Sequence, residues 1–292
     1  MYTGYFQLTQ IPFSLTPDTA FYLQLPQHEA ALTTLRTAID SGEGFIKVTG
    51  EVGTGKTLLC RLLLKHAPAS WQLAYLPDPA LTPLELRWAL AQELGLKYSA
   101  NIDTPQLLQL LQRQLILLAG QQKRVVLVID EAQALPDDTL ETLRLLTNLE
   151  TEQQKLLQVV LFAQPELDKR LASSAFRQLQ QRITFSQQLT GMTAAQLQHY
   201  VQHRLQIAGS TQQRFSVTAL KLLHVYSRGI PRLVNILAHK CLMLAYGEGA
   251  AQVNWRHIRF AAADTAAVRC RSHHWPLLGP ALLWLTALRV SG

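Results

Sequence analysis

Residues 50–57 read GEVGTGKT and lie between the apolar stretch FIKVT at 45–49 and a helical pattern at about 56–66. They fit G-x-x-x-x-G-K-[ST], which predicts a loop that binds the phosphates of a nucleotide. The glycines let successive backbone N–H groups point into one concavity, and the following helix adds its positive end. We expect Lys56 to reach the β- and γ-phosphates and the Thr57 hydroxyl to ligate Mg²⁺. The predicted nucleotide-binding residues here are Gly50, Glu51, Val52, Gly53, Thr54, Gly55, Lys56, Thr57 and Leu58.

A second stretch, VVLVIDEAQ at 125–133, predicts the other half of this site. Its apolar strand ends in Asp130. This position directs the Asp130 carboxylate toward the ligand shell of Mg²⁺, which such a carboxylate usually contacts through a water molecule. Glu131 follows, where it can orient or deprotonate an attacking water. The alternative is that the two acids only cap the next helix. Hydrolysis is the favoured interpretation, because a chain that only held a nucleotide would not need Glu131.

The order of strands and helices predicts an α/β fold with a parallel sheet flanked by helices. Predicted strands lie at 45–49, 72–76, 124–129 and 157–163. Predicted helices lie at 28–41 and 56–66, after Thr82-Pro83 and Thr104-Pro105, and at 138–149, where Asp138 and Glu141 suggest a capping box.

Beyond about residue 190 the predicted strands stop, and four helices begin near Thr193, Ser216, Pro231 and residue 254. The chain therefore divides into a proline-broken, extended segment at 1–27, an α/β core at 28–190, a small all-helical domain at 191–268, and a tail at 269–292.

Charge is unevenly distributed, although the net charge is only +7. Residues 1–168 carry 12 Lys/Arg against 18 Asp/Glu, whereas residues 169–292 carry 15 against 2. This basic second part is either an ordinary solvated surface or a site for an anionic partner, such as nucleic acid, a membrane surface or nucleotide phosphates. The three scattered cysteines and the lack of a signal peptide at MYTGYFQLTQ favour the cytoplasm over an oxidising compartment.

Six stretches together resemble the AAA+ ATPases, over roughly residues 4–268. Within them the chain is most similar to the branch of the type II secretion ATPase ExeA, the MSHA pilus biogenesis protein MshM and the transposition protein TniB. The stretches are YFQLTQIPFSLTPDTAFYL (5–23), GFIKVTGEVGTGKT (44–57), VVLVIDEAQAL (125–135), VVLFAQPEL (159–167), FRQLQQRITF (176–185) and YSRGIPRLVNILAHKCL (226–242). GEVGTGKT and VVLVIDE then correspond to the Walker A and Walker B motifs.

The resemblance implies hydrolysis of ATP with Mg²⁺ in a ring or other nucleotide-dependent oligomer. It places Gln164 as the first sensor of the γ-phosphate or attacking water, although a glutamine before Pro165 also suits a plain turn. Arg232 corresponds to the second sensor, reaching from the helical domain, or lid. Arg182 is the expected arginine finger, with Arg177 the alternative. The stretch around Pro12 and Phe13 is expected near the adenine, or else as simple cover for the core.

The resemblance also implies work on pilus or secretion apparatus proteins. The secretion relatives continue through a membrane span into a periplasmic domain, whereas this sequence stops first, which favours the MshM-like role. The tail WPLLGPALLWLTAL at 275–288 is short for a span and suits an interfacial anchor on an anionic membrane, a partner-docking segment or packing on the domain. We therefore expect a cytoplasmic protein, peripheral at the inner membrane. The rivals are a DNA-binding AAA+ regulator of transposition or replication initiation, and a nucleotide-gated scaffold with negligible turnover.

Overall fold

The α/β core is built on one five-stranded sheet. The computed structural model describes residues 2–15, 21, 23–97, 102–151 and 154–269. The strands are β1 (Phe45–Gly50), β2 (Trp71–Leu76), β3 (Arg124–Ile129), β4 (Gln158–Ala163) and β5 (Ile183–Leu189). Their order is β2-β3-β4-β1-β5, and every pair is parallel. The predicted α/β class is confirmed, and the parallel strands bring the loops after β1, β3 and β4 to one edge of the sheet.

Helices cover both faces of this sheet. The core helices are α2 (Pro26–Asp40), α3 (Lys56–Lys65), α4 (Pro83–Glu93), α5 (Thr104–Gly120), α6 (Asp137–Leu146), α7 (Pro165–Leu171) and α8 (Arg177–Arg182), with 3₁₀ turns at Ala132–Ala134 and Ser174–Phe176. Val126 and Val128 face the side covered by α2 and α3, whereas Val125 and Leu127 face the side covered by α4, α5 and α6. This alternation explains why β3 reads as a continuous apolar run: both of its faces are buried.

β5 is the strand that we did not predict from the sequence. Its residues, ITFSQQL, alternate between half-buried and exposed until Leu189, which is buried. Among the residues that the structure describes, β5 pairs only with β1, so it is an edge strand with one hydrogen-bonded neighbour. An edge strand needs no continuous apolar run, so its glutamines hide the strand pattern.

The observed N-termini of the helices confirm some of the predicted helix starts and contradict one predicted cap. The helix starts predicted at Thr82-Pro83 and near Thr193 are confirmed, and each is a capping box, Thr82 with Glu85 and Thr193 with Gln196. The capping box at Asp138 was wrong, because α6 begins one residue earlier with Pro136 at the N-cap and no side-chain cap bond. Asp138 therefore lies inside the first turn, and Glu141 instead forms an ion pair with Arg144 at 2.6 Å. The cap of α5 is Asp103 rather than Thr104.

Four helices form the lid: α9 (Ala194–Ile207), α10 (Val217–Ser227), α11 (Pro231–Gly247) and α12 (Trp255–Ala263), with the short α13 (Ala266–Arg269) after them. Two glycines fix how the lid leaves the core. A Cβ on Gly191 would lie 2.1 Å from the Arg228 carbonyl oxygen, and one on Gly229, at φ +70°, would lie 2.0 Å from the Met192 oxygen. The backbones therefore cross in direct contact, with the Met192 N–H donating to the Gly229 oxygen at 2.9 Å.

The chain's first residues pack into the lid. This N-terminal strap, defined as residues 2–15, Phe21 and 23–25, includes a short helix α1 (Tyr2–Tyr5). Its buried side chains share one hydrophobic core with the lid helices and are Tyr2, Phe6, Leu8, Phe13, Phe21 and Leu25. Hydrogen bonds fasten the strap along its length, including Thr9 N–H to the Ala208 oxygen at 2.8 Å and Arg214 to the Phe6 oxygen at 2.9 Å.

The predicted apolar tail at 275–288 lies outside the described residues. Within the ranges that the structure describes, no helix combines the length and apolarity needed to cross a membrane.

Candidate nucleotide site

The glycine loop lies between β1 and α3, at the carboxyl edge of the sheet. Gly53 and Gly55 have φ values of +85° and +101°, a backbone region that favours glycine. Gly55 is also the N-cap of α3 and has no side chain to cap the helix. The first N–H groups of α3 are thus left for an acceptor from outside the helix, which suits a phosphate.

A buried histidine fastens this loop to α2. His28 is 4% exposed, and its Nε2 lies 3.2 Å from the Thr54 carbonyl oxygen. Burial lowers the pKa of His28, which keeps the ring neutral. Because a carbonyl can only accept, Nε2 must carry the proton and donate it. We did not predict this role of His28 from the sequence.

The Lys56 ammonium lies on the concave side of the glycine loop. It donates to the Gly50 oxygen at 2.8 Å and the Glu51 oxygen at 3.2 Å. Burial lowers the pKa of Lys56, and the charges of Glu131 and Asp130 oppose that shift. A phosphate would supply the anionic partner that two carbonyls supply only in part.

Thr57 and Asp130 meet at the foot of α3, as the two motifs predict. The Thr57 side chain lies close enough to the Asp130 carboxylate to lower its pKa, and Asp130 is only 3% exposed. Burial raises the pKa of Asp130, while Thr57 and the bond from the Glu131 N–H oppose the shift. A hydroxyl and a carboxylate oxygen are the hard ligands that Mg²⁺ prefers, so these residues fit the metal.

Glu131 is held by two glutamines, and the sequence analysis identified only one of them. The Gln133 Nε2 lies 2.6 Å and the Gln164 Nε2 lies 3.1 Å from the same Glu131 oxygen, Oε2. Gln133 also accepts from the Gln164 backbone N–H at 2.9 Å. The ends of β3 and β4 are therefore joined through one carboxylate. Gln133 stands two residues after Glu131, and that proximity was the available signal.

Arg232 brings the lid to the loop. It is the second residue of α11, and its backbone N–H lies 3.3 Å from the Gly53 oxygen. A Cβ on Gly53 would lie 2.4 Å from the Arg232 Cβ, so only a glycine allows this contact. The N-termini of α3 and α11 consequently both point at the phosphate end of the site, beside the cations Lys56 and Arg232.

A cavity of about 350 Å³ connects the glycine loop to the lid. Its phosphate end is formed by Gly53, Gly55, Lys56, Thr57, Glu131 and Arg232. Its opposite end is formed by the strap and lid residues Ser14, Leu15, Phe21, Leu23, Leu25, Tyr200, Arg204 and Asn235. That end combines four apolar side chains with four polar ones, a mixture that suits a nucleotide base. The sequence did not predict Tyr200, Arg204 or Asn235, because no local pattern joins them.

Pro12 and Phe13 lie beside this cavity. The Pro12 carbonyl accepts from Arg204 Nε at 2.5 Å, and the Phe13 ring packs edge-on against Phe215 with centroids 6.1 Å apart. Their neighbours Ser14 and Leu15 line the cavity instead.

The two arginines considered for a neighbouring subunit differ in environment. Arg182 is half-buried and donates to the Arg144 carbonyl at the end of α6 at 3.0 Å. Arg177 is exposed at the start of α8. Both lie away from the residues that line the cavity of their own chain.

Comparison with known proteins agrees with this geometry. A family model described as an AAA domain matches residues 39–171. Residues 39–171, which make up most of the α/β core, are thus similar to an AAA domain. The chain is also similar to General secretion pathway protein A of Aeromonas hydrophila, with 40% identity over 269 residues, which are 92% of this chain and 49% of that protein. The chain thus spans about half the length of this relative.

Solved structures share the architecture of the α/β core and its helical lid. Cdc6p from Pyrobaculum aerophilum aligns with a TM-score of 0.62 at 18% identity, covering 85% of this chain and 71% of that one. The Aeropyrum pernix ORC1 protein in complex with DNA aligns with a TM-score of 0.61 at 21% identity, covering 87% and 69%. At these identities the likeness shows the fold alone. With the glycine loop after β1 and the acidic pair after β3, this fold has the arrangement of a P-loop nucleotide-binding protein.

Proposed function

We propose that this protein hydrolyses ATP with Mg²⁺ and uses the cycle to drive assembly of a secretion apparatus or an MSHA-type pilus at the inner membrane. The observation that carries the proposal is the convergence of Lys56, Thr57, Asp130 and Glu131 at one sheet edge, beneath Arg232 of the lid. These residues supply the separate roles that phosphoryl transfer to water requires.

Each role follows from the position of a side chain. Lys56 exchanges its carbonyl partners for phosphate oxygens, and the loop N–H groups hold the remaining oxygens. Thr57 and Asp130 would hold Mg²⁺, and the ion would supply positive charge to offset that on the transferred phosphoryl group. Glu131 accepts a proton from the attacking water, and Gln164 lies beside it to contact that water or the γ-phosphate. Arg232 then makes the lid position depend on the γ-phosphate.

A neighbouring subunit is proposed to complete the site with an arginine. Arg182 matches the family position but is bonded to the Arg144 carbonyl, whereas Arg177 is exposed. Alanine variants of each, mixed with Glu131→Gln protein, separate the two. Only the variant that lacks the true finger should be slow alone and regain turnover on mixing, because its intact Glu131 can then receive an arginine from the other chain.

The apparatus role is supported by the likeness to General secretion pathway protein A. The MSHA-type role is the finer form of the proposal and is supported by the sequence resemblance alone. Steady-state ATP hydrolysis should be measured with anionic liposomes and, in parallel, with duplex DNA. We expect stimulation by liposomes, lost when residues 269–292 are removed. Stimulation by DNA alone would overturn the apparatus role.

The alternative is an ATP-dependent DNA-binding regulator, and the charge distribution favours it. Residues 169–292 carry 15 Lys/Arg and only 2 Asp/Glu, and within the described lid the acids Glu248 and Asp264 are paired with His257 and Lys240. DNA binding that weakens steeply between low and physiological salt would support this alternative. A nucleotide-gated scaffold would instead assemble with ATP and release no phosphate.

A further inference from the structure

Glu131 lies in a backbone conformation that its own residue type rarely adopts. Its φ and ψ are 51° and 36°, in the left-handed region, at the turn between β3 and the 3₁₀ turn Ala132–Ala134. A glutamate stays there only when its surroundings hold it. The contacts that hold its carboxylate therefore also decide where this base points.

The orientation of the Gln133 amide is fixed by its partners. Its Oε1 accepts the Gln164 backbone N–H at 2.9 Å, and its Nε2 donates to Glu131 Oε2 at 2.6 Å. Rotating the amide by half a turn would place two donors together at Gln164 and two acceptors together at Glu131. Only one orientation satisfies both neighbours.

Arg170 of α7 holds the Gln133 backbone from the other side. Its guanidinium donates to the Gln133 carbonyl at 2.8 Å and to the Leu135 carbonyl at 2.8 Å, and it forms an ion pair with Asp137. Gln133 is thus fixed through its carbonyl and through both polar atoms of its side chain. A side chain fixed at three points can orient a neighbour with little loss of its own freedom.

We propose that Gln133 is a positioning residue for ATP hydrolysis, an inference that rests on the proposed function. Two donors engage Oε2 of Glu131, whereas its Oε1 accepts no hydrogen bond from the described residues. Gln133 therefore presents Oε1 of Glu131 to the attacking water, which gives up its proton there. Gln164 shares this task and, through its own contact with Gln133, transmits a shift of β4 to the base.

The first test replaces Gln133 without disturbing nucleotide binding. In Gln133→Leu we expect kcat to fall about 10- to 100-fold, because a base misplaced by about 1 Å loses activity on that scale. KM and ATP affinity should stay within about twofold, because Gln133 is not among the residues that line the cavity. The matched control is Gln112→Leu, an exposed position on α5 that should keep parental kcat. Unchanged kcat in Gln133→Leu, or a loss confined to KM, would overturn the proposal.

The second test distinguishes positioning from a merely structural role by its pH profile. Gln133→Glu keeps the acceptor for the Gln164 N–H but places a second carboxylate against Glu131. We expect low kcat at pH 8, where the two charges repel, and a rise relative to the parent as pH falls toward 6. The two carboxyls can then share one proton and restore the donor. A constant ratio of variant to parent across this range would contradict the inference.

A double-mutant cycle measured by thermal unfolding tests the contact between Glu131 and Gln133 without requiring ATP turnover. Glu131→Ala, Gln133→Leu and the double variant should show non-additive changes in melting temperature, because the two side chains are in contact. If the parent releases no phosphate, the proposed function fails, yet this cycle still decides whether Gln133 holds Glu131. Additive changes would refute the contact on which the positioning role depends.

Discussion

Asp130 and Lys56 are buried ionisable groups whose surroundings oppose their charged forms. Burial raises the pKa of Asp130 and lowers that of Lys56. Burying the charged forms of these two side chains therefore lowers the stability of the folded protein. We expect binding to supply a divalent cation to Asp130 and phosphate oxygens to Lys56.

One prediction concerns Asp130→Asn, which should raise the melting temperature of the ligand-free protein at pH 7 while abolishing Mg²⁺-dependent hydrolysis. Asp130 has a raised folded pKa, so its contribution to stability is favourable below the unfolded value and is lost as pH rises through the folded value. The advantage of the variant should therefore shrink as pH falls toward 4. In a chain of this size about 1 kcal/mol corresponds to roughly 2–4 °C.

Thermal unfolding from pH 4 to 8 measures this effect. The control is Asp78→Asn, because Asp78 is exposed and an asparagine oxygen can still accept the Ala80 N–H. The interpretation fails if Asp130→Asn melts below the parent at pH 7, or if the difference does not depend on pH.

A second prediction separates ATP binding from hydrolysis. Lys56→Ala should lose ATP binding, because its ammonium is the cation on the concave side of the glycine loop. Glu131→Gln should bind ATP but hydrolyse it about 10²- to 10⁴-fold more slowly, since it loses the base but keeps the loop. Equilibrium binding of a fluorescent ATP analogue and phosphate release measure the two properties. Unchanged turnover in Glu131→Gln would contradict the proposed mechanism, in which Glu131 is the base.

The sequence predicted the phosphate end of the site and not its base end. Lys56 and Thr57 stand in one local pattern whose chemistry dictates its spacing, and Asp130 and Glu131 end a strand that can be recognised by itself. Ser14 and Tyr200, by contrast, meet only because the strap packs on the lid. No periodicity or spacing encodes a contact between segments so far apart.

Among the elements, the crossing of Gly191 and Gly229 places α11 over the glycine loop. Gly229 ends the turn after α10, and Pro231 begins α11 two residues later. Because the backbones touch, the start of α11 has little freedom, and Arg232 reaches Gly53. The sequence predicted a helix at Pro231 from local signals. Why position 229 must be a glycine is visible only in the packed structure, where the Met192 backbone leaves no room for a Cβ.

A third prediction follows for Gly229→Ala. The new methyl group would meet the Met192 oxygen at 2.0 Å, and φ +70° disfavours alanine. We expect a loss of at least about 1–3 kcal/mol in stability and weaker ATP binding, because Arg232 is displaced. The control is Gly247→Ala in α11, where a Cβ meets nothing within 4 Å. It should be neutral or stabilise by up to about 1 kcal/mol. Denaturant unfolding measures both, and equal stability of the two variants would contradict the account.

In the whole molecule, the strap and the lid form one packed body that contacts the α/β core across the nucleotide cavity. The sequence predicted an α/β core followed by a helical domain, and it placed the N-terminal segment over the nucleotide site as extended chain. The structure puts most of its buried aromatics into the lid core. The aromatic and proline composition indicated burial, but it carried no information about which domain would bury these side chains.

A fourth prediction tests this arrangement with Phe6→Ala. The Phe6 side chain is 0% exposed and lies in the core shared with the lid. Its removal should cost about 3–5 kcal/mol, as for other buried aromatics, and should weaken ATP binding through the base end of the cavity. Ile11→Ala, at a strap residue that is 47% exposed, is the control and should change stability little. Similar melting temperatures for the two variants would show that the strap does not belong to the lid core.

The strap also sets the order in which the protein can be completed during synthesis. Tyr2 hydrogen-bonds His239, which lies 237 positions further along the chain. At about 5–20 residues per second, the ribosome needs roughly 10–50 s to supply that partner. Throughout this interval Phe6, Phe13 and Phe21 have no lid on which to pack, so the strap is synthesised well before it can be buried. A nascent chain can therefore fold its glycine loop early but closes the base end of the cavity only after the lid has been synthesised.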